Sequence, residues 1–202
     1  SGNRRMDTSQ GDYSMDGFFR ILVNHHIGAS AIEVMALYGG IEAGGTKFVC
    51  AVGDASGKVK DECVVKTTVP AETLAEVVNF FKQHKKLKAI GIGSFGPIET
   101  HSQAKKFGYI LQTPKKAWID CDFAGYIQKA LNCPVGFDTD VNAAALGEYY
   151  YGAAKDFYNF MYMTVGTGIG ASAMIDGKIL HGLEHSEMGH MCITHDKTRD
   201  AF

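Results

Sequence analysis

The chain has 202 residues, enough for one large domain or two small ones, and 46% of them are hydrophobic. A net charge of −2 with scattered basic residues argues against nucleic acid as a partner, and no apolar run reaches the ~18 residues of a membrane span. The five cysteines are odd in number, widely spaced and without a CxxC pair, which predicts reduced thiols and a cytoplasmic location. Small molecules are therefore the expected partners.

Residues 1–34 differ from the rest of the chain, because their polar opening and brief apolar run show no clean period. We interpret them as an extension outside the fold. The alternative is a short helix that docks on the domain through its apolar side chains. The remainder is divided into a first domain over 35–150 and the beginning of a second, incomplete domain over 151–202.

From residue 37 onward, the pattern of apolar residues and glycines predicts regular elements. In chain order we expect three antiparallel strands (37–43, 48–53, 59–67), a helix after Pro70 (71–84), a buried strand (88–96), a helix (123–131), a short strand (134–140) and an alanine-rich helix (141–152). Two strands joined by a glycine-rich hairpin follow within 160–180. This order predicts an α/β domain with a mixed sheet, and the second hairpin would begin another such unit.

The segment GIGSFG (91–96) satisfies the G-x-G-x-x-G pattern of dinucleotide-binding loops. In that fold the loop opens a helix, but here Pro97 follows without a helical run, so we reject a nicotinamide site. The segment is either a sharp turn at a strand end or a place where the backbone approaches a ligand at the carboxyl edge of the sheet.

Two further glycine loops, EAGGTK (42–47) and TVGTGIGA (164–171), each join two apolar strands and pair glycines with a threonine. Glycine permits positive φ and close approach, so such tips expose several backbone N–H groups in one concavity. Each loop alone is better explained as a turn. Together, with acids nearby, they predict two tips that clamp a polyphosphate, although neither is a Walker loop, G-x-x-x-x-G-K-[ST].

Asp140 stands where the strand PVGFDT ends and the alanine-rich helix begins. An acid at this place is commonly an N-cap, but Asp138 and Asn142 flank it and a cap needs only one of the three. An aspartate at a helix start near a phosphate clamp is also well placed to accept a hydroxyl proton. We therefore predict Asp140 as the general base in phosphoryl transfer to an alcohol.

The segment HGLEHSEMGH (181–190) holds three histidines and two glutamates. They are surface residues, metal ligands or sugar ligands, and the H-E-x-x-H spacing of zinc proteases is absent. Glu187 with His190 would offer one acceptor and one donor to vicinal hydroxyl groups.

Four motifs follow one another along the chain, and they are IEAGGTKF, GIGSFGP, DTDVNAAALGE with TVGTGIGA, and HSEMGH. Together they resemble the ROK family of sugar kinases and its bacterial fructokinase branch. The resemblance implies the actin-like, hexokinase-like ATPase superfamily, with two ribonuclease-H-like domains that close on a sugar and on ATP with Mg²⁺. The implied enzyme is a transferase that phosphorylates a hexose, with fructose as the favoured acceptor. A homodimer is the assembly that the resemblance suggests.

The resemblance also implies roles for individual residues. Asp140 matches the catalytic base, and the sugar-contacting positions are Gly96, Asn142, Glu187 and His190. The first phosphate loop is formed by Gly44, Gly45, Thr46 and Lys47, and the second by Gly166, Thr167 and Gly168. Glu42 is a candidate to orient Mg²⁺, at about the place where most family members have Asp.

The family continues with a zinc site whose first ligand matches His190. Zinc in a structural site takes four ligands, and the Cys/His-rich loop that would supply the others is absent after Cys192. We therefore expect a protein that is truncated in its second domain. The alternative to an active kinase is then a fragment that binds sugar or phosphate without turnover. A sugar-responsive repressor is a third hypothesis, disfavoured because no helix-turn-helix pattern precedes the motifs.

Overall fold

The computed structural model describes residues 36–84, 87–166, 168–182 and 185–192. The predicted extension over 1–34 lies outside the described residues and stays a prediction.

A five-stranded sheet forms the centre of the first part of the chain. Its strands, and two short ones that pair with each other beside it, are Leu37–Ala43 (β1), Lys47–Asp54 (β2), Val59–Lys66 (β3), Ile90–Ser94 (β4), Tyr109–Ile110 (β5), Cys121–Asp122 (β6) and Val135–Thr139 (β7). The order is β3-β2-β1-β4-β7, in which β1, β2 and β3 are antiparallel neighbours while β4 and β7 run parallel to β1. This mixed sheet confirms the predicted α/β, ribonuclease-H-like fold class.

Three α-helices lie in the described part of the chain, Pro70–Lys82 (α1), Phe123–Leu131 (α2) and Asp140–Tyr151 (α3). Helix α1 begins at a proline, whose fixed φ suits the first helical turn, and it buries Leu74, Val77 and Phe81 at helical spacing. Helices α1 and α2 pack against each other on the core.

An aromatic cluster links β2 to the segment between β5 and α2. The Phe48 ring lies 5.4 Å from that of Trp118 and 5.5 Å from that of Phe123, measured between centroids. The indole N–H of Trp118 donates to the carbonyl oxygen of Thr68 at 2.8 Å, so the buried polar atom is satisfied. The sequence pattern did not predict the short strands or the 3-10 helix Lys116–Trp118 in this segment, because their regularity depends on this packing.

A second sheet of three antiparallel strands follows α3, namely Phe160–Val165 (β8), Ile169–Ile175 (β9) and Lys178–Ile179 (β10), in the order β10-β9-β8. Helix α3 contacts β4 and β7 of the main sheet and also β8 and β9 of this one. The rings of Tyr149 and Phe160 stack at 6.3 Å between centroids. A Cβ added to Gly170 would lie 2.8 Å from Cγ1 of Val141, so glycine permits the close approach of β9 to α3.

Strand β8 is an edge strand in the described part of the chain, and its outward side chains Met161, Met163 and Val165 are more than half exposed. Unpaired, uncharged edges of this kind favour association. The division of the chain into two domains stays a prediction. Within the ranges described, every helix is too short or too polar to cross a bilayer.

Two cysteines, Cys50 on β2 and Cys63 on β3, lie directly opposite each other. The hydrogen bond between their thiols and the burial of Cys50 raise the pKa of Cys50 well above its usual value, and the same hydrogen bond lowers the pKa of Cys63. Burial, with a contribution from the charge of Asp122, raises the pKa of Cys121 to about 11.

Because the thiolate is the reactive form, iodoacetamide is expected to modify Cys63 before Cys50 and Cys121 in the folded protein. Peptide mass spectrometry after short exposures at mildly alkaline pH measures the order. The exposed Cys192 is the reference for an accessible thiol, and the unfolded protein should lose the order. Modification of Cys121 ahead of Cys63 would contradict the assignment.

Candidate active site

A cavity of about 340 Å³ opens where the end of β7 and the start of α3 face the β8–β9 hairpin. Of the predicted site residues, it is lined by Gly96, Asp140, Gly166, Gly168 and Glu187. Its volume falls in the range of roughly 300–1,000 Å³ that is usual for small-molecule sites. It also lies at the carboxyl end of a parallel strand, where open α/β sheets bind ligands.

Asp140 is the first residue of α3, and Thr139 is its N-cap. The Thr139 hydroxyl oxygen accepts the backbone N–H of Asn142 at 3.2 Å, so the alternative in which Asp140 serves as the N-cap is wrong. One carboxylate oxygen of Asp140 accepts the N–H of Val141 at 2.8 Å. The carboxylate is thus fixed at the helix N-terminus while it lines the cavity.

The pKa values of Asp140 and Glu42 are both raised, because both carboxylates are partly buried at this edge of the sheet. Burial is the main cause for Asp140, and the charge of Glu187 adds to it against favourable backbone hydrogen bonds. Burial is again the main cause for Glu42, followed by the charge of Asp140, while Lys47 opposes both. A carboxylate with a raised pKa is a stronger proton acceptor, as a general base requires.

The raised pKa of Asp140 has a consequence for stability. The folded state binds a proton more readily than the unfolded chain, so stability from this group is present below the unfolded pKa of about 3.9 and is lost as pH rises through the folded pKa. Replacing Asp140 by asparagine is therefore expected to raise the free energy of unfolding at neutral pH. Removing its charge also relieves Glu42, which adds to the gain.

Urea unfolding of both proteins between pH 3 and neutral, with the difference in unfolding free energy as readout, measures this effect. The gain should shrink as the pH falls through the raised pKa values of the two carboxylates in the folded protein, and it should vanish below the unfolded values of about 3.9 and 4.3. A gain that is independent of pH would contradict the electrostatic cause.

Asn142 belongs to a polar network that fixes the junction of β7 with α3. Its side chain is 1% exposed and does not line the cavity, and its Nδ2 donates to Oδ1 of Asp138 at 2.7 Å. The second oxygen of Asp138 lies 2.9 Å from Nε2 of His181, and this hydrogen bond raises the pKa of His181. The predicted sugar contact of Asn142 stays a prediction.

Glu187 projects into the cavity with two histidines around its carboxylate. Its Oε1 lies 3.0 Å from Nε2 of the buried His185, and its Oε2 lies 3.5 Å from Nδ1 of His190. His190 is 82% exposed at its side chain and does not line the cavity. A Cβ added to Gly96 would lie 3.2 Å from Nε2 of His185, so a glycine at this position leaves room for the ring.

The two glycine loops occupy different places. Gly166 and Gly168 line the cavity, and the N–H of Gly166 donates to the carbonyl oxygen of Gly168 at 2.8 Å, while Thr167 lies outside the described residues. The tip formed by Gly44, Gly45, Thr46 and Lys47 turns between β1 and β2 and is not among the residues that line the cavity. Its phosphate role, and the clamp formed by both tips, therefore stay predictions.

The first tip is held in place by sequence-distant residues. The Thr67 hydroxyl donates to the carbonyl oxygen of Gly44 at 2.9 Å. A Cβ added to Gly45 would lie 3.1 Å from Cε of Lys115, so a second lysine besides Lys47 approaches the glycine pair. Sequence reasoning missed Lys115, because nothing local connects it to the loop.

Of the residues that line the cavity, sequence reasoning gave no role to Thr139 and did not single out His185 among the three histidines. Thr139 carried a usable signal, since a threonine just before a helix is a preferred N-cap. His185 carried none that separates it from the two neighbouring histidines.

The zinc prediction concerns His190. Within the described ranges, no group of three or more His, Cys, Asp or Glu side chains is close enough to hold a metal ion. The described residues alone therefore do not form a zinc site around His190.

The fold and the cavity together define a ribonuclease-H-like α/β protein with a cavity lined by glycines and carboxylates. A family model described as the ROK family matches residues 38–200, so the chain belongs to the ROK family, as the motifs predict.

Individual relatives agree with this assignment. A fructokinase of Pediococcus pentosaceus is 50% identical over 155 residues, which cover 77% of this chain and 54% of that protein. A ROK family glucokinase from Streptomyces griseus, solved in complex with glucose and AMPPNP, has a TM-score of 0.67 at 27% identity, covering 79% of this chain and 51% of that one. A ROK hexokinase from Thermus thermophilus has a TM-score of 0.65 at 30% identity, covering 78% of this chain and 54% of that one. The chain spans about half the length of the curated relatives it matches.

Proposed function

We propose that this chain carries the acceptor site of a sugar kinase that transfers the γ-phosphoryl group of ATP to a hexose hydroxyl, converting fructose to fructose 6-phosphate. The observation that carries the proposal is the placement of Asp140, whose carboxylate lines one cavity together with Gly166, Gly168 and Glu187. A proton acceptor, a glycine-rich loop and a second carboxylate are the groups that phosphoryl transfer to a sugar needs. The relatives named fructokinase and glucokinase support the same reaction.

In the proposed reaction, Asp140 accepts the proton of the sugar's primary hydroxyl as that oxygen attacks the γ-phosphorus. The bond between the γ-phosphorus and the bridging oxygen breaks, and ADP leaves with the electron pair. The carboxylate of Glu187 accepts hydrogen bonds from other sugar hydroxyls and fixes the orientation of the ring. Because the chemistry is mainly positioning and charge stabilisation, rigid placement of these groups accounts for most of the rate.

The phosphates would lie against the loop at Gly166 and Gly168, with the tip at Gly44 and Gly45 as the second contact. The electrostatic repulsion between Glu42 and Asp140 fits a divalent cation nearby, because Mg²⁺ prefers oxygen ligands. When bound, Mg²⁺ would neutralise charge on the phosphate oxygens. A homodimer, a cytoplasmic location and zinc at His190 are further predictions that rest on the family resemblance.

Coupled measurement of ADP release tests the proposal, with fructose, mannose, glucose and N-acetylglucosamine as acceptors and Mg-ATP as donor. Turnover that depends on the sugar supports the kinase, and the highest kcat/KM is expected for fructose. Calorimetric titration of each sugar runs in parallel. Sugar binding without turnover would favour the alternative, a binding fragment, and the absence of both would reject the proposal.

A further inference from the structure

A buried imidazole joins two segments of the cavity wall that are distant in sequence. His185 is 9% exposed, its Nδ1 lies 3.1 Å from the carbonyl oxygen of Ile98, and its Nε2 lies 3.0 Å from Oε1 of Glu187. The side chain of Glu187 is 54% exposed and lines the cavity. A buried residue therefore holds one end of an otherwise mobile, solvent-facing carboxylate.

The two contacts determine where the protons of the His185 ring lie. A carbonyl oxygen can only accept, so Nδ1 must carry a proton and donate it to Ile98. A bare Nε2 facing an ionised carboxylate would place two lone pairs against each other, so a proton must also lie between Nε2 and Oε1 of Glu187. The pair is thus joined by one hydrogen bond, whichever of the two atoms carries the proton.

We propose that His185 is a positioning residue that holds Glu187 in the orientation in which its second oxygen accepts a hydrogen bond from a sugar hydroxyl. This inference rests on the proposed function, since it assumes that the cavity takes a sugar. His185 itself does not contact the reacting atoms in this scheme. It acts by holding the carboxylate of Glu187 through Nε2.

The anchor has a physical reason. A glutamate side chain has three rotatable bonds, and fixing it on ligand binding costs conformational free energy that a side chain fixed beforehand has already lost. His185 fixes it in advance, because the imidazole is itself held by the Ile98 carbonyl oxygen and by burial. His190, at 3.5 Å from Oε2, is a weaker and exposed partner that does not replace this contact.

Two substitutions each keep one of the two hydrogen bonds of His185 and remove the other. In His185→Asn the amide nitrogen takes the place of Nδ1, so the bond to Ile98 is kept and the bond to Glu187 is lost. In His185→Gln the amide nitrogen takes the place of Nε2, so a donor to Glu187 is kept. Thermal midpoints of both variants report whether either substitution damages the fold.

Calorimetric titration with fructose is expected to show an affinity about 2- to 10-fold weaker for His185→Asn, the loss expected when one glutamate side chain must be immobilised on binding. His185→Gln should restore most of this affinity at a similar thermal midpoint. The KM for ATP should change little in either variant. Equal losses of sugar affinity in the two variants, with midpoints unchanged, would overturn the positioning role.

A second measurement needs no sugar. NMR of the chain with labelled histidine is expected to show the proton on Nδ1 of His185 that is donated to the carbonyl oxygen of Ile98. Order parameters of the Glu187 side chain should fall in His185→Asn and recover in His185→Gln. A Glu187 side chain equally ordered in all variants would overturn the inference. Absence of phosphoryl transfer with these NMR results intact would reject only the proposed function.

Discussion

Replacing Asp140 by asparagine is expected to lower the rate of phosphoryl transfer to fructose by about 10²- to 10⁴-fold, the contribution usual for a general base. Asparagine has nearly the same shape and can still accept the N–H of Val141 through its amide oxygen, but it cannot take a proton from a hydroxyl group. The affinity for fructose should change little, because the lost interaction is made in the transition state. ADP release and calorimetric titration of the same protein measure the two quantities.

The matched control is Asp61→Asn, which removes an equal charge from an exposed residue of β3 that does not line the cavity. Its kcat should equal that of the wild type. If Asp140→Asn retains the wild-type kcat, or if both variants lose activity alike, Asp140 is not the base.

The sequence was most informative where chemistry and local structure coincide. Asp140 follows directly on β7 and opens α3, so its place at a strand end and a helix start could be predicted from neighbouring residues alone. The hairpin tip at Gly44 and Gly45 was predictable for the same reason, since a backbone hydrogen bond of 3.0 Å from Gly44 to Lys47 closes the turn within four residues.

What the sequence could not supply are contacts between distant segments. Three histidines within 181–190 look equivalent in the sequence, yet His181 pairs with Asp138, His185 is buried against Ile98, and His190 is exposed. These differences depend on which distant residues each histidine contacts in the folded chain, and no local sequence pattern encodes those contacts.

The two glycine loops illustrate the same limit. Both combine glycines with a threonine between two strands, and the symmetry of the pattern predicts equivalent roles. Only the loop with Gly166 and Gly168 lines the cavity, whereas the tip at Gly44 and Gly45 is tied to Thr67 and approached by Lys115. Their separation is set by how α3 spaces the two sheets, a property of packing.

Substitution of Gly189 by alanine is expected to detach the segment 185–192 from β9 and to weaken fructose binding at least tenfold. The added Cβ would lie 1.8 Å from the carbonyl oxygen of Ile169 and 2.6 Å from its carbonyl carbon. Both atoms belong to the backbone of a paired strand, so no side chain can swing aside and one of the two segments must move. Overpacking of this kind costs about 1–3 kcal/mol.

The segment is the part that should yield, because the 3-10 helix Met188–His190 has no buried residue while β9 is paired with β8 from Ile169 to Met174. Amide hydrogen exchange should therefore accelerate within 185–192, with only a small fall in the thermal midpoint. Gly166→Ala is the matched control for the fold, since no atom lies within 4 Å of its added Cβ. Its exchange pattern and midpoint should be those of the wild type. If the amides of 185–192 exchange at wild-type rates in Gly189→Ala, this segment does not pack on β9. The segment that carries Glu187 would then not form this side of the cavity.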